Sequence, residues 1–223
     1  VAYADAGNWS FRKKGPLDVG ARGWIWDGSH DGGGRSLELI HPSLDNASGG
    51  NWRASTAEGG TPGAVNSAFS TSVGPLVAEV RHSPAAPSSR DEIAISARVT
   101  PSFHPVSEVH LHYRNHTISP PGDFNQAPMR DDGLSGDGLA GDGVYGALLP
   151  PQASGVILEF YVAAVDSSAA ARSHPSPAVD ENNVAGQWAN CLLQVDDAFT
   201  PETQPLLRVV ATATEWEQFK AMN

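Results

Sequence analysis

The sequence predicts an all-β protein built around an antiparallel sandwich. Three observations favour this fold class. The chain of 223 residues contains 23 Gly and 17 Pro, a composition typical of many short strands joined by turns. Hydrophobic residues make up 40% and charged residues 17%, which is enough apolar material to fill a packed core. Apolar residues also recur at every second position in short runs, the periodicity of half-buried strands.

The central part of the chain predicts a seven-stranded sandwich. Its strand-like runs are 76–81, 93–99, 109–114, 128–130, 144–149, 156–165 and 170–173. Segments rich in Pro, Gly and Ser separate them, as expected for turns. Seven short strands in about a hundred residues is the strand count of an immunoglobulin-like or fibronectin-type domain. We therefore predict an Ig-like antiparallel sandwich over 75–180, with Leu111, Tyr113, Phe160 and Val162 in its core.

The segment before the sandwich contains one clear strand and several glycine-rich turns. Its motifs, in order, are Gly34-Arg35-Ser36-Leu37-Glu38-Leu39-Ile40, Asn51-Trp52-Arg53-Ala54-Ser55 and Gly60-Thr61-Pro62-Gly63-Ala64-Val65-Asn66. This order resembles the C-terminal half of a bacterial lamin-tail domain. The resemblance implies that residues 1–70 are a partial lamin-tail-like β segment.

Four tryptophans lie in the first 70 residues, at Trp9, Trp24, Trp26 and Trp52. Large aromatic side chains dominate the cores of small β units, so we predict that these pack inside. The alternative is an exposed aromatic platform for sugar rings, which would make the segment a carbohydrate-binding module.

The last forty or so residues depart from the sandwich pattern. Residues 206–210 predict a strand, and Thr212 with Glu215 has the spacing of a capping box that opens a short helix. Residues 194–197, 204–210 and 215–216 resemble the lead-in to a spore-coat CotH-like kinase domain. The resemblance implies that 181–223 is a linker followed by the start of such a domain, in a bacterial secreted multidomain protein. None of that family's catalytic or nucleotide-binding residues would lie in this chain.

An acidic, glycine-rich loop follows the fourth predicted strand. Asp131, Asp132, Asp137 and Asp142 lie within twelve residues, with no basic residue between them. Calcium prefers flexible carboxylates and backbone carbonyls, so we predict that these four aspartates bind calcium. The spacing is not that of an EF-hand. The alternative is that the Asp-Gly pairs are ordinary turns with solvated carboxylates.

Charge and cysteine content exclude several function classes. The net charge of −11 disfavours a nucleic-acid surface, which needs a basic stripe. Cys191 is the only cysteine, so no intrachain disulfide is predicted, and no apolar run is long enough for a membrane span.

His110 and His112 share a strand face and could hold zinc, but the simpler interpretation is a polar face.

No nucleophile, general base or phosphate-binding loop is recognisable, so we predict that the chain is not an enzyme. The favoured function is a structural and presentation module, located outside the cell or on its surface. Its expected partners are neighbouring domains of the same parent protein, and a cell-surface protein or glycan. The alternatives are an accessory part of a CotH-like atypical protein kinase and a carbohydrate-binding module.

Overall fold

The computed structural model describes residues 3–4, 6–15, 24–116, 122–198, 216–217 and 220–221. Fourteen strands lie within these ranges. They are β1 (Arg12–Lys14), β2 (Trp24–Trp26), β3 (Arg35–Leu39), β4 (Trp52–Glu58), β5 (Leu76–Ser83), β6 (Ile93–Thr100), β7 (Val106–Asn115), β8 (Asn125–Pro128), β9 (Val144–Leu149), β10 (Ile157–Asp166), β11 (Ala171–His174), β12 (Ala178–Val179), β13 (Ala185–Gly186) and β14 (Cys191–Gln194). Two 3-10 helices, Gly7–Trp9 and Gly49–Asn51, also lie within these ranges.

Two antiparallel sheets form the central sandwich. One has the order β5-β6-β9, and the other has the order β11-β10-β7-β8. The ten-residue strand β10 pairs with β7 along its whole length, with Phe160 opposite Tyr113. Its other edge is shared, because β14 pairs with the first half of β10 and β11 with the second half. The predicted all-β sandwich is therefore present, and β14 adds an eighth strand to it.

The core lies between the two sheets and follows the predicted alternation. Ile93, Ile95, Ala97 and Val99 of β6 are all buried, while the residues between them are not. Opposite them, the buried side chains of β7 and β10 are Val109, Leu111, Leu158, Phe160, Val162 and Ala164. Tyr113 is only partly buried and packs against the edge of this core. Burial of this many apolar side chains is the main contribution to the stability of the sandwich.

The segment before the sandwich is organised around a buried carboxylate. Strands β3 and β4 form an antiparallel pair, and Glu38 of β3 is 4% exposed. Its carboxylate accepts hydrogen bonds from Thr61 Oγ1 (2.5 Å), Ser67 Oγ (2.7 Å) and the Ala68 backbone N–H (3.0 Å). These donors hold the 61–68 stretch against β3, because a buried carboxylate without hydrogen bonds would be costly.

A smaller sheet connects the segment before the sandwich with the segment that follows β11. Its order is β13-β12-β1-β2, and β1 pairs in parallel with β12 through Lys13 and Val179. The Arg12 guanidinium also donates a hydrogen bond to the Ala189 carbonyl. The N-terminal and C-terminal flanks of the sandwich therefore meet.

The C-terminal predictions fall mostly outside the described residues. The predicted strand 206–210 and the helix opening at 212–215 lie there, so neither is described. Trp216, Glu217, Lys220 and Ala221 have helical backbone. Within the described ranges, no helix is long and apolar enough to cross a membrane. The domain limits predicted at 70, 75 and 180 stay a prediction.

Candidate functional site

The acidic loop, defined here as residues 131–143, packs closely onto strand β9. An isolated bridge between Arg130 and Gly146 fixes its start beside that strand. A Cβ atom placed on Gly146 would lie only 2.3 Å from the Ser135 carbonyl oxygen, so only glycine allows this approach. The loop is thus a compact cap on the edge of the β5-β6-β9 sheet.

Two of the predicted aspartates organise the first half of the acidic loop. Asp137 is 4% exposed and accepts the backbone N–H groups of Gly133 (2.7 Å) and Ser135 (2.9 Å). Asp132 accepts the N–H groups of Leu134 (2.9 Å) and Ser135 (3.0 Å). Both carboxylates therefore act as acceptors for the loop's own backbone, as in Asx turns.

The other two predicted aspartates organise the second half. Asp131 accepts the N–H of Gly141 on one carboxylate oxygen (2.6 Å) and that of Gly143 on the other (2.9 Å). Asp142 accepts the Val144 N–H (2.8 Å) at the start of β9. All four predicted residues thus lie in one loop, and each accepts backbone N–H groups of that loop or of the start of β9.

The electrostatics of Asp137 follow from these contacts. Burial opposes ionisation, but backbone N–H donors, beginning with that of Gly133, outweigh it and hold the pKa of Asp137 below its ordinary value. Within the described residues, no three His, Cys, Asp or Glu side chains are grouped so that they could hold a metal ion. Calcium binding by Asp131, Asp132, Asp137 and Asp142 stays a prediction.

The outer face of the five-stranded sheet contains a polar cluster that the sequence analysis did not predict. Glu159 of β10 is 4% exposed and lies opposite Arg114 of β7. Arg114 donates from Nε (2.8 Å) and Nη2 (3.1 Å) to the two carboxylate oxygens, and Asn190 Nδ2 donates to one of them (2.7 Å). Phe124 covers the guanidinium, 4.0 Å from the ring centroid. Burial opposes ionisation of Glu159, but Arg114 and Asn190 outweigh it, and the pKa of Glu159 is lowered.

The sequence contained a partial indication of this cluster. Glu159 interrupts the apolar run of β10, and a lone acid in a buried strand needs a partner. The partner depends on the register between β7 and β10, which the sequence does not specify.

The histidines proposed for zinc have other neighbours. The His112 ring stacks on Tyr161, with centroids 4.4 Å apart and planes 2° from parallel. His110 Nδ1 lies 3.7 Å from Glu108 Oε2. Burial, and then the neighbouring His110, lower the pKa of His112. This arrangement fits the simpler interpretation of a packed polar face.

The tryptophans divide into two pairs. Trp9 and Trp52 are partly buried, and their rings lie 6.1 Å apart. Trp24 and Trp26 of β2 are 37% and 44% exposed, so the prediction that they pack inside is wrong. The strand β2 lies at the edge of the small sheet, where only one neighbouring strand covers it.

The sandwich and its packed core define an Ig-like β-sandwich domain. Residues 75–167 match the family described as the conditioned medium factor second Ig-like domain. This match spans β5 to β10 and less than half of the chain, and it supports the predicted Ig-like domain. No curated protein matches the sequence. An Ig-like domain of this kind is a structural or interaction module.

Proposed function

We propose that this chain is a non-catalytic structural and presentation module of a larger secreted or cell-surface protein. The observation that supports this most is that both flanks of the sandwich are anchored. Strand β1 pairs with β12, and Arg172 of β11 donates from Nη1 to Asn51 Oδ1 (2.9 Å) before the sandwich. A unit with both flanks anchored to its core can hold neighbouring domains at a fixed distance and orientation.

The location outside the cell is tested by adding protease to intact cells that make the protein. We expect cleavage in the acidic loop, because Leu134 and Leu139 are 82% and 75% exposed there. Cleavage that appears only after the cells are lysed would contradict an extracellular location.

The non-catalytic part is tested with labelled ATP and the purified 223-residue chain. We expect no phosphate transfer to the chain or to a general protein substrate. Transfer that is lost when the chain is heat-denatured would overturn this part.

In this proposal calcium stiffens the acidic loop. Asp131, Asp132 and Asp142 keep part of their surface in solvent. A carboxylate oxygen that accepts one N–H has a second lone pair, which is available to a cation. The competing explanation is metal-free, since the backbone N–H donors already compensate the negative charge.

The two explanations are separated by thermal melts with calcium and with chelator. A ligand at a hundred times its dissociation constant stabilises the folded state by about 2.7 kcal/mol. We expect the wild-type midpoint to rise with calcium and the rise to be lost in Asp142→Asn, with magnesium as the control cation. If the wild-type unfolding midpoint does not change at saturating calcium, the loop is stable without a metal and the metal-free explanation holds.

Carbohydrate binding is a second candidate, and the exposed Trp24 and Trp26 favour it. Residues two apart on a strand share a face, so the two rings can form one platform. We would test Trp26→Ala on a glycan array against Trp188→Ala, which removes an equally exposed tryptophan. Binding lost only in Trp26→Ala would support this candidate, and no binding by the wild type would dismiss it.

A further inference from the structure

A cavity of about 480 Å³ lies where the N-terminal segment meets the sandwich. Gly50 and Arg53 line it from one side, and Leu76, Tyr161 and Arg172 line it from the other. This volume is in the range of small-molecule sites. None of its described lining residues is acidic, although the whole chain has a net charge of −11.

One cavity arginine is under-satisfied. Arg172 uses Nη1 to donate to Asn51, while its Nη2 is shut off from solvent and has no hydrogen-bond acceptor. No carboxylate among the described residues forms an ion pair with it. Burial, and then repulsion from Arg53, lower the pKa of Arg172 to about 10. A half-buried guanidinium with one buried, unpaired nitrogen and no counter-charge costs free energy, so the arrangement is unfavourable unless something else supplies negative charge.

The second cavity arginine is also without a counter-ion in the described part of the chain. Arg53 of β4 is solvent-exposed at the cavity, yet the surrounding protein still lowers the pKa of its guanidinium. Some basic side chains elsewhere have acidic partners. Lys14 lies 2.9 Å from Glu181, and Arg114 lies 2.8 Å from Glu159. Arg53 and Arg172 are therefore two neighbouring guanidinium groups without an acidic partner among the described residues.

The other lining groups match an organic molecule rather than a bare ion. Leu76, Tyr161 and Pro177 provide an apolar and aromatic wall. His174 also lines the cavity, and burial, followed by the nearby Arg12, lowers its pKa. It therefore offers a neutral hydrogen-bonding ring at neutral pH.

We propose that this cavity binds a small organic molecule through one oxoanion group, with Arg53 and Arg172 as the recognition residues. The planar guanidinium fork matches carboxylate, sulfate and phosphate oxygens, which can accept two parallel hydrogen bonds. The apolar wall then contacts the rest of the molecule. This site is separate from both the acidic loop and the exposed tryptophans.

The test uses the 223-residue chain and four hexoses with the same skeleton. The probes are glucuronate, glucose 6-phosphate, glucose 6-sulfate and uncharged glucose, each measured by calorimetric titration and by thermal shift. We expect at least one charged hexose to bind and to raise the midpoint, and glucose to do neither. The identity of the charged hexose that binds distinguishes carboxylate, phosphate and sulfate sources.

Three variants assign any binding to the cavity. Arg53→Gln should weaken binding by about tenfold or more, because it removes one charged fork. Arg81→Gln, at an exposed arginine paired with Glu79, should leave affinity unchanged. Ser176→Trp fills the cavity from an exposed lining position without changing charge, and should abolish binding even if Arg53→Gln folds poorly.

Three results would overturn the proposal. They are no binding of any charged hexose, equal binding of glucose, and equal affinity in the wild type and Ser176→Trp.

Discussion

The buried carboxylates of the described residues accept hydrogen bonds from different sets of donors and are satisfied to different extents. Glu38 relies on hydroxyl groups and one backbone N–H, Asp137 on backbone N–H groups alone, and Glu159 on a guanidinium. Asp166 uses one oxygen for the Ser168 N–H and hydroxyl, and its other oxygen has no partner. The cost of removing each carboxylate therefore depends on how many donors it would leave buried and unpaired.

The first residue-scale prediction concerns Asp137. Asp137→Ala should lower the free energy of unfolding by about 1–3 kcal/mol, because it leaves the part-buried Gly133 N–H without an acceptor and removes one of the two acceptors of the Ser135 N–H. Asp142→Ala, at an exposed residue with one N–H contact, should cost less than about 1 kcal/mol. Urea denaturation of the three proteins in chelator measures both values. Equal losses in the two variants would contradict the organising role of Asp137.

The second residue-scale prediction concerns Arg114 and pH. Arg114→Met should cost about 3 kcal/mol near neutral pH, because Glu159 would keep a buried charge without its main partner. The folded-state pKa of Glu159 lies below its ordinary 4.5. The stability from ionised Glu159 is therefore present above that pH, and is lost as pH falls through the lowered folded pKa.

The expected outcome is a stability gap between wild type and Arg114→Met that narrows as the pH is lowered. Urea midpoints at about pH 7 and about pH 3 measure it. Arg81→Met is the matched control, since Arg81 is an exposed arginine. If the difference in stability between wild type and Arg114→Met does not change with pH, the loss in Arg114→Met does not come from the ion pair with Glu159.

The sequence predicted where the acidic residues concentrate but not what they contact. Asp131, Asp132, Asp137 and Asp142 lie together in the loop between β8 and β9, and their proposed role as metal ligands stays a prediction. The pairing of backbone N–H groups with carboxylates depends on the turn geometry. The sequence does not specify that geometry, because the several glycines of the loop can adopt many backbone conformations. Arg53 and Arg172 are 119 positions apart in sequence, so no local pattern could bring them together.

At the scale of elements, β10 is the strand that joins most of the larger sheet of the sandwich. It pairs with β7 on one edge, and with β14 and β11 in succession on the other. A central strand with partners on both edges satisfies its backbone hydrogen bonds and is protected from unwanted pairing. Its length of ten residues is what allows two short strands to share one edge.

The element-scale prediction concerns β14. Leu193 is 2% exposed and belongs to the sandwich core, whereas its neighbour Leu192 is 39% exposed. Leu193→Ala should cost about 2–4 kcal/mol, and Leu192→Ala less than about 1 kcal/mol. Thermal or urea unfolding of the full chain compares them. Similar small effects would show that β14 does not belong to the sandwich core.

Strands with strong alternation were predictable, and the weak strands were not. β6 and β10 have apolar residues at every second position, and both lie where the pattern placed them. The strand predicted at 128–130 is instead β8 at Asn125–Pro128, an edge strand with few apolar residues to mark it. The four residues of β14 are too few to define a period.

At the scale of the whole molecule, the small sheet β13-β12-β1-β2 contrasts with the sandwich. Its strands have two or three residues each, and none of β2 is buried. The sequence could not predict this sheet, because it pairs Lys13 with Val179 across the whole sandwich. The alternation of apolar and polar residues within a strand does not indicate which distant strand it pairs with.

The whole-molecule prediction concerns hydrogen exchange. Amides of β6, β7 and β10 should exchange slowest, because they open only with the whole sandwich. Amides of β1 and β12 should exchange much earlier, since few buried apolar contacts hold them. Native-state exchange followed by mass spectrometry resolves the segments. Equal protection of β1 and β10 would indicate that the small sheet unfolds together with the sandwich.

The parallel pairing of β1 with β12 also sets an order of events at the ribosome. The strand β1 precedes its partner β12 in the sequence, and β12 is made only after every strand from β2 to β11. At the usual 5–20 residues per second, β1 waits on the order of 10–30 s for that partner. Strands β5 to β11 of the sandwich can therefore pair before β12 and then β14 are made, and the two flanks are joined afterwards.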